Sequence, residues 1–491
     1  MDVVLGLDFG TQGVKGFLVS GDGQMACSAF RHYGFSKNEG GWMEQDPDEW
    51  VKAAGDVISE IKEKAPDSFE QMACVGLSGH MHGIVPLASD GTVLHPSILW
   101  CDTRCAQQAE RMRESLSEEV RQRLKNPFVT AYSAGKLIWL KEERPRVWEN
   151  MSVFLYCKDF VRYRMTGKRM TDYSDASGSL LYDFSTDTWC AQACEALGLQ
   201  REQLPPICPS ATQAGRVTAE GARLFHLKEG VPVAVGAGDL AASLFGSGVH
   251  SERDVLVNLG TAGQVLALRP RGESRKEGGY TFKFLDAQED MLLYSLPSAA
   301  YCARWYVEQI CPSFAREAEE RGIPVFEWMH ARAQTSPPGS RGLLFAPYLS
   351  GTGSPYFDDR IRGAWIGLDS AHRDSDFARS ILEGVAFGIK QCVELEEQGA
   401  GSRRVFLTGG GARSGLWRQI LADVLESGVF CPHVPEAAGL GAAKLAMLAC
   451  GMSTAHIQVK TELVKPHAMN RQVYRQAYQR YVRIYAALKS L

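Results

Sequence analysis

Two stretches of this chain share one design. Val3 to Val19 reads VVLGLDFGTQGVKGFLV, and Val255 to Leu268 reads VLVNLGTAGQVLAL. In each, an apolar strand meets a tight Gly-Thr-x-Gly turn (Gly10 to Gly13, Gly260 to Gly263), and a second apolar strand runs back. Two hairpins of one pattern, about half a chain apart, predict two related lobes that face each other and grip phosphates from both sides. Glycines let the backbone approach phosphate oxygens, and the turn N–H groups can bind them. The first copy ends its strand in an acid, Asp8, where the second has Asn258 or Leu259, depending on how the loops are aligned. A carboxylate at that point suits Mg²⁺, held largely through water because Mg²⁺ keeps part of its hydration shell.

At 491 residues the chain is too long for one core. Two domains are expected, divided into 1–229 and 230–491, because a new run of strands starts at Val231. A net charge of −4 with no polybasic run argues against nucleic acid and anionic membrane as partners. No apolar run approaches the ~20 residues of a membrane helix, and the N-terminus enters a strand without a signal-type segment. A cytoplasmic protein is expected. The thirteen cysteines show no paired zinc-ribbon spacing, so buried reduced thiols are expected.

Strands and helices alternate, which makes the fold class α/β. Residues 1–35 read as three strands. Asp46 to Lys64 reads as a helix with Asp46 as N-cap and Pro47 at the first helical position. Residues 105–165 read as mostly helical, 269–280 and 335–342 as loops, Phe377 to Glu397 as a long helix, and the last 25 residues as one amphipathic helix.

Three further segments carry candidate chemistry. VPVAVGAGDLAAS is a continuous apolar strand, Val231 to Gly238, with Asp239 at the start of a small-residue helix. An acid beyond the carboxyl end of a strand suits a general base for phosphoryl transfer; a plain helix N-cap reads equally well from local sequence. SGHMHGIVPL brackets His80, Met81 and His82 with glycines and suits substrate contact. LTGGGARSG, Leu407 to Gly415, is a strand–glycine–helix crossing where a base or phosphate can lie close to the backbone. No Gly-x-Gly-x-x-Gly at that crossing and no Walker Gly-Lys-Ser/Thr point to a dinucleotide enzyme or a P-loop kinase.

In this order, these pieces resemble the FGGY carbohydrate kinases of the actin/hexokinase/heat-shock-chaperone ATPase superfamily. SAGKLIWLKEE, with Lys136 and Trp139 in place, is similar to the family's first signature, from which Ala131 departs. GAWIGLDSAHRDSDFARSILEG is similar to the second throughout. The resemblance implies two ribonuclease-H-like (actin-like ATPase) lobes with a cleft between them. It implies ATP and Mg²⁺, with Asp239 and Asp8 as catalytic and metal-holding residues. Gly10, Thr11, Gln12, Lys15, Gly260, Thr261, Gly409, Gly410, Gly411 and Ser414 would bind the nucleotide. Met81, His82, Trp100, Asp102, Asp239 and Leu240 would bind the sugar.

Within the family, SGHMHG and ILWCDTR are most similar to the xylulokinase group. The resemblance therefore implies phosphorylation of the terminal hydroxyl of a ketopentose, D-xylulose to D-xylulose 5-phosphate. Kinases of ribulose, erythritol or gluconate are the alternatives within the family. A silent sugar-binding regulator and an ATP-driven conformational machine are more distant ones. A homodimer is a family-level expectation only. Two positions depart from the group: Leu240 stands where an Asn is usual, and His80 where a Gln is. Loss of a hydrogen-bonding group changes discrimination for the matching hydroxyl, so a substrate with one hydroxyl fewer there, or another stereochemistry, is expected.

Overall fold

The computed structural model describes residues 3–37, 41–249, 251–272, 278–396, 403–433 and 436–490. Two large sheets organise them. The first contains β1 (Val3–Gly10), β2 (Gly13–Ser20), β3 (Met25–His32), β4 (Met72–Gly79), β5 (Gln213–Arg216), β6 (Pro232–Ala234) and β7 (Ala237–Gly238). The second contains β8 (Asp254–Leu259), β9 (Gly263–Pro270), β10 (Tyr280–Lys283), β11 (Glu289–Leu296), β12 (Arg404–Thr408), β13 (Val429–Pro432) and β14 (Thr461–Val464).

The sheets repeat one order. In the first, β3-β2-β1 is an antiparallel meander, and β4 and then β6 add in parallel beside β1. In the second, β11-β9-β8 is the antiparallel meander, and β12 and β13 add in parallel beside β8. Each Gly-Thr-x-Gly turn joins the first two strands of its lobe. This is the α/β, two-lobed architecture that the duplicated hairpin predicts.

Helices cover the sheets. Helix α1 (Pro47–Lys64) starts on the Asp46 side chain, which accepts from the Asp48 N–H, and buries Trp50, Val57, Ile58 and Ile61 against the first sheet. A second helix on that sheet comes from the far end of the chain. Residues Ala437–Ala449 (AAGLGAAKLAMLA) lie across β1 and β4 and against Asp239–Gly246. The approach is close enough to require glycine: a Cβ on Gly76 would stand 2.0 Å from the Ala442 carbonyl oxygen. The C-terminal helix Arg471–Tyr481 instead packs on the second lobe, burying Tyr474 and Tyr481 against Asp374–Leu395.

Several expected boundaries move. Val231 to Gly238 is not one strand. It breaks at Gly236, whose φ is 82°, into β6 and β7, and both pair with β4 of the first sheet. The chain reaches the second sheet at Asp254. A fifth strand buried on both faces is a continuous apolar run, just as the first strand of a new lobe is. The stretch 105–165 holds a strand, Val153–Leu155, between its helices. The last residues form two helices, Arg471–Tyr481 and Ile484–Lys489, rather than one. The long helix runs Asp374–Leu395, and its expected end at Glu397 lies outside the described residues, as do 273–277 of the expected loop. The cysteines are free and mostly buried. No described helix is long and apolar enough to cross a membrane.

Candidate active site

Two cavities meet at the second Gly-Thr turn. The smaller, about 470 Å³, takes Met81, His82, Trp100, Asp239 and Leu240 from the first half of the chain and Gln264, Tyr280 and Phe282 from the second. The larger, about 1060 Å³, is lined by Gly260, Thr261, Gly410, Gly411 and Ser414, and also by Arg304, Glu327 and His330. Thr261 faces the larger cavity and its neighbour Ala262 the smaller, so the turn stands between them. Thr11 of the first turn lines the smaller one.

Strand register brings the two acids together. Asp8 pairs with Ser78, Ser78 with Ala237, and Gly79 with Gly238, so Asp8 and Asp239 lie toward the carboxyl ends of the two strands that flank β4, with Asp239 two residues beyond the level of Asp8. That is where open α/β sheets place ligands. Asp239 is not the N-cap of its helix. Gly238 holds that position, and Asp239 is the first helical residue, its Oδ1 accepting from the Leu240 N–H at 2.8 Å. Burial pushes the Asp239 carboxyl up to about 7, and the Asp8 charge adds to the shift. Burial likewise lifts Asp8 to about 6, while Ser78 and Lys15 draw it down.

These acids fit a hard divalent cation. Asp8 Oδ1 is buried without a hydrogen-bond partner, and a cation beside it would offset the charge that opposes ionisation of Asp239. Among the described residues no group of three or more His, Cys, Asp or Glu side chains could hold a metal. Water and phosphate oxygens would therefore complete the shell, a coordination Mg²⁺ favours.

His82 is set for a neutral ligand. Its backbone is left-handed, with φ 73°. Its Nδ1 lies 2.8 Å from the Gly178 carbonyl, which can only accept, so the proton sits on Nδ1 and Nε2 remains an acceptor. Burial, reinforced by the Lys136 charge, holds the imidazole down at about 3, hence uncharged at neutral pH. A Cβ at residue 178 would come within 2.7 Å of His82 Cε1, so glycine is required there. Opposite, Trp100 Nε1 donates to Thr11 Oγ1 at 3.2 Å and ties the cavity lip to the first turn. Lys136 is fully buried, and its ammonium donates to the carbonyls of Thr130, Ala131 and Tyr132, fixing the loop whose Ala131 and Tyr132 line the cavity.

Other expected residues lie elsewhere. Asp102 is buried away from the cavity: Arg104 pairs with it at 2.7 Å and the Met43 N–H donates at 2.6 Å. It braces the Trp42–Arg104–Trp139 stack instead. The His80 ring packs on Trp50, 5.4 Å between centroids, behind the cavity, so the Gln-to-His departure does not face the sugar position. Lys15 pairs with Glu436 at 2.6 Å. Gln12 is exposed, its carbonyl accepting from Tyr33, and the Gly10 carbonyl accepts from the Tyr33 hydroxyl. Gly409 has φ 90° and packs against Asn258, while Gly410 and Gly411 face the larger cavity. Ser414 caps its helix, accepting from the Trp417 N–H.

Gln264, Tyr280 and Phe282 were missed from sequence, as were Arg304, Glu327 and His330. Gln264 could have been read, since it directly follows the second Gly-Thr turn. The others sit on an ordinary strand or on helices with no local mark.

Residues 3–246 match the N-terminal domain, and residues 285–450 the C-terminal domain, of the FGGY family of carbohydrate kinases. The xylulose kinase of Bacillus subtilis (strain 168) is 31% identical over 501 residues, covering 100% of this chain and 98% of that protein. The crystal structure of xylulose kinase from Rhodospirillum rubrum superposes with a TM-score of 0.90 at 28% identity, covering 99% of each chain. The gluconokinase of Bacillus subtilis (strain 168) is 26% identical over 451 residues, covering 91% of this chain and 88% of that protein.

Proposed function

The chain belongs to the FGGY family of carbohydrate kinases and is an ATP-dependent sugar kinase, and from that premise we propose that it phosphorylates the terminal hydroxyl of D-xylulose, giving D-xylulose 5-phosphate, with Asp239 as general base. The observation that carries this reading is the position of Asp239: a carboxyl raised to about 7 on the wall of the smaller cavity, beside the turn that opens on the larger. A base with a pKa near the working pH combines a usable ionised fraction with proton affinity.

The ketose lies in the smaller cavity with its terminal hydroxyl on Asp239 and another hydroxyl donating to His82 Nε2. ATP lies in the larger, its base near the Gly410–Ser414 crossing and its phosphates at the Gly260–Thr261 turn. Asp239 takes the hydroxyl proton as the oxygen bonds to the γ-phosphorus, the bond to the β-phosphate oxygen breaks, and ADP leaves. Backbone N–H groups at Gly10–Gln12 and Gly260–Thr261 orient and stabilise the transferring group, which needs positioning and charge stabilisation more than covalent help. Asp8, with Asp239, would hold Mg²⁺, which supplies charge neutralisation at the β- and γ-phosphate oxygens. Closure of the lobes excludes water that would otherwise hydrolyse ATP.

The lining chemistry separates the family alternatives. No Lys or Arg is among the described residues that line the smaller cavity. An aldonate carboxylate would therefore meet Asp239 and an uncharged imidazole, which disfavours gluconate and favours a neutral sugar. Leu240 on the same wall supports a second reading, a ketose of other stereochemistry such as a ribulose, because it offers no amide to a hydroxyl there.

The test is ADP release with Mg·ATP and D-xylulose, L-xylulose, D- and L-ribulose, erythritol, glycerol and gluconate. Highest kcat/KM on D-xylulose is expected. Activity confined to another sugar would overturn the substrate and keep the kinase. In the same assay Asp239→Asn should bind sugar and lose about two orders of turnover or more; near-normal turnover would remove Asp239 as base.

A further inference from the structure

Behind the sugar cavity the first lobe buries a cluster of charged side chains. Lys158, Asp159, Arg162, Asp172 and Asp175 are each no more than 1% exposed. Lys158 Nζ lies 2.6 Å from Asp159, 2.8 Å from Asp172 and 3.0 Å from Asp175, and Arg162 lies 2.8 Å from Asp159. Burial pushes the Asp175 carboxyl well above its usual range. Stability alone does not explain such a cluster, since well-packed apolar residues commonly serve as well.

Its outward contacts do explain it. Asp172 caps the short helix Tyr173–Ser177 and accepts the Ser174 hydroxyl at 2.6 Å. The same hydroxyl oxygen accepts the Gly238 N–H at 2.8 Å, one residue before Asp239. Arg162 donates to the Val235 carbonyl at 2.6 Å on the other side of the Gly236 bend. The helix then ends at Gly178, whose carbonyl orients His82. One buttress thus reaches both the proposed base and the imidazole that faces the sugar.

We infer that Ser174 is a positioning residue for Asp239: its hydroxyl, aimed by Asp172, holds the Gly238 amide and so fixes the direction of the base's carboxylate. The inference rests on the reading of Asp239 as base. Without that oxygen the buried Gly238 N–H has no acceptor, and the bend is free to shift. A small misplacement of a base costs turnover far more than it costs ground-state binding.

Ser210 provides the control. Its hydroxyl also donates to Asp172, at 2.9 Å, so Ser210→Ala removes a bond of the same kind from the same carboxylate and leaves Gly238 held. The experiment compares Ser174→Ala, Ser174→Thr, Ser210→Ala and Asp239→Asn with Mg·ATP and the best ketose of the panel above, alongside thermal melts. Expected are a kcat about ten-fold lower for Ser174→Ala with both KM values within about three-fold, recovery in Ser174→Thr, and near-normal kcat in Ser210→Ala despite a similar loss of Tm. Equal kcat losses in the two alanine variants, or a KM rise at normal kcat in Ser174→Ala, would overturn the inference. If Ser174→Ala does not fold, Ser174→Cys carries the same comparison. A crippled Asp239→Asn beside a normal Ser174→Ala would sink the positioning role alone, whereas an active Asp239→Asn would sink the base assignment itself.

Discussion

The Asp8 carboxylate works against the ionisation of Asp239, whose carboxyl burial has already raised. Register places them there: β1 and β7 flank β4, with Asp8 level with Ser78 and Asp239 directly after Gly238, the partner of Gly79. The turnover of the enzyme should therefore fall on the acid side of neutrality rather than near pH 4. The acid limb of kcat/KM, which reports the free enzyme, is expected at an apparent pKa of about 7 at low Mg²⁺ and to move down as Mg²⁺ is raised. A limb at pH 4 to 5 that ignores Mg²⁺ would contradict the electrostatic assignment.

The same shifts act on stability. Both carboxyls are raised in the folded chain, Asp8 to about 6 and Asp239 to about 7, from an ordinary value near 4. Their protonated forms therefore favour folding below about pH 4, and that contribution is lost as pH rises through about 6 to 7. Asp239→Asn should melt about 2 °C or more above the parent at pH 8 without Mg²⁺ and show little difference at pH 4.5. An unchanged or lower Tm at pH 8 would mean that the acid is not strained in the empty cleft.

The residues that announce themselves in the sequence do so through backbone chemistry. Gly260 and Gly410 stand out as glycines and line the larger cavity, and the repeated hairpin revealed the duplicated lobes. What stayed hidden depends on tertiary packing. Val231 to Gly238 looks like an opening strand because a strand buried on both faces carries no alternation. Asp102 and His80 sit in site-like motifs but face inward, to Arg104 and Trp50. Tyr280 and Phe282 reach the cavity from the opposite lobe, which no local pattern records.

Leu240 is the departure that does reach the cavity. An amide there could bond a sugar hydroxyl that leucine leaves unpaired. Leu240→Asn is expected to change the ratio of kcat/KM between D-xylulose and D-ribulose by about ten-fold or more. The ratio is measured on both variants with one enzyme preparation each. An unchanged ratio would show that the leucine is tolerated rather than selective.

Gly178 gives the sharpest test of the imidazole. Its carbonyl fixes the His82 tautomer, and its missing side chain makes room for the ring, since a Cβ would lie 2.7 Å from Cε1 and 2.9 Å from Nδ1. Gly178 is not among the described residues that line the larger cavity. Gly178→Ala should push the ring off its carbonyl and lose the Nε2 bond to the ketose, about 1.4 kcal/mol or a ten-fold rise in ketose KM. The ATP KM should stay within about two-fold, because Gly178 contacts His82 in the smaller cavity and lies outside the lining of the larger. A matching rise in both KM values would instead indicate that the substitution disturbs the lobe as a whole, and would remove His82 as a sugar ligand.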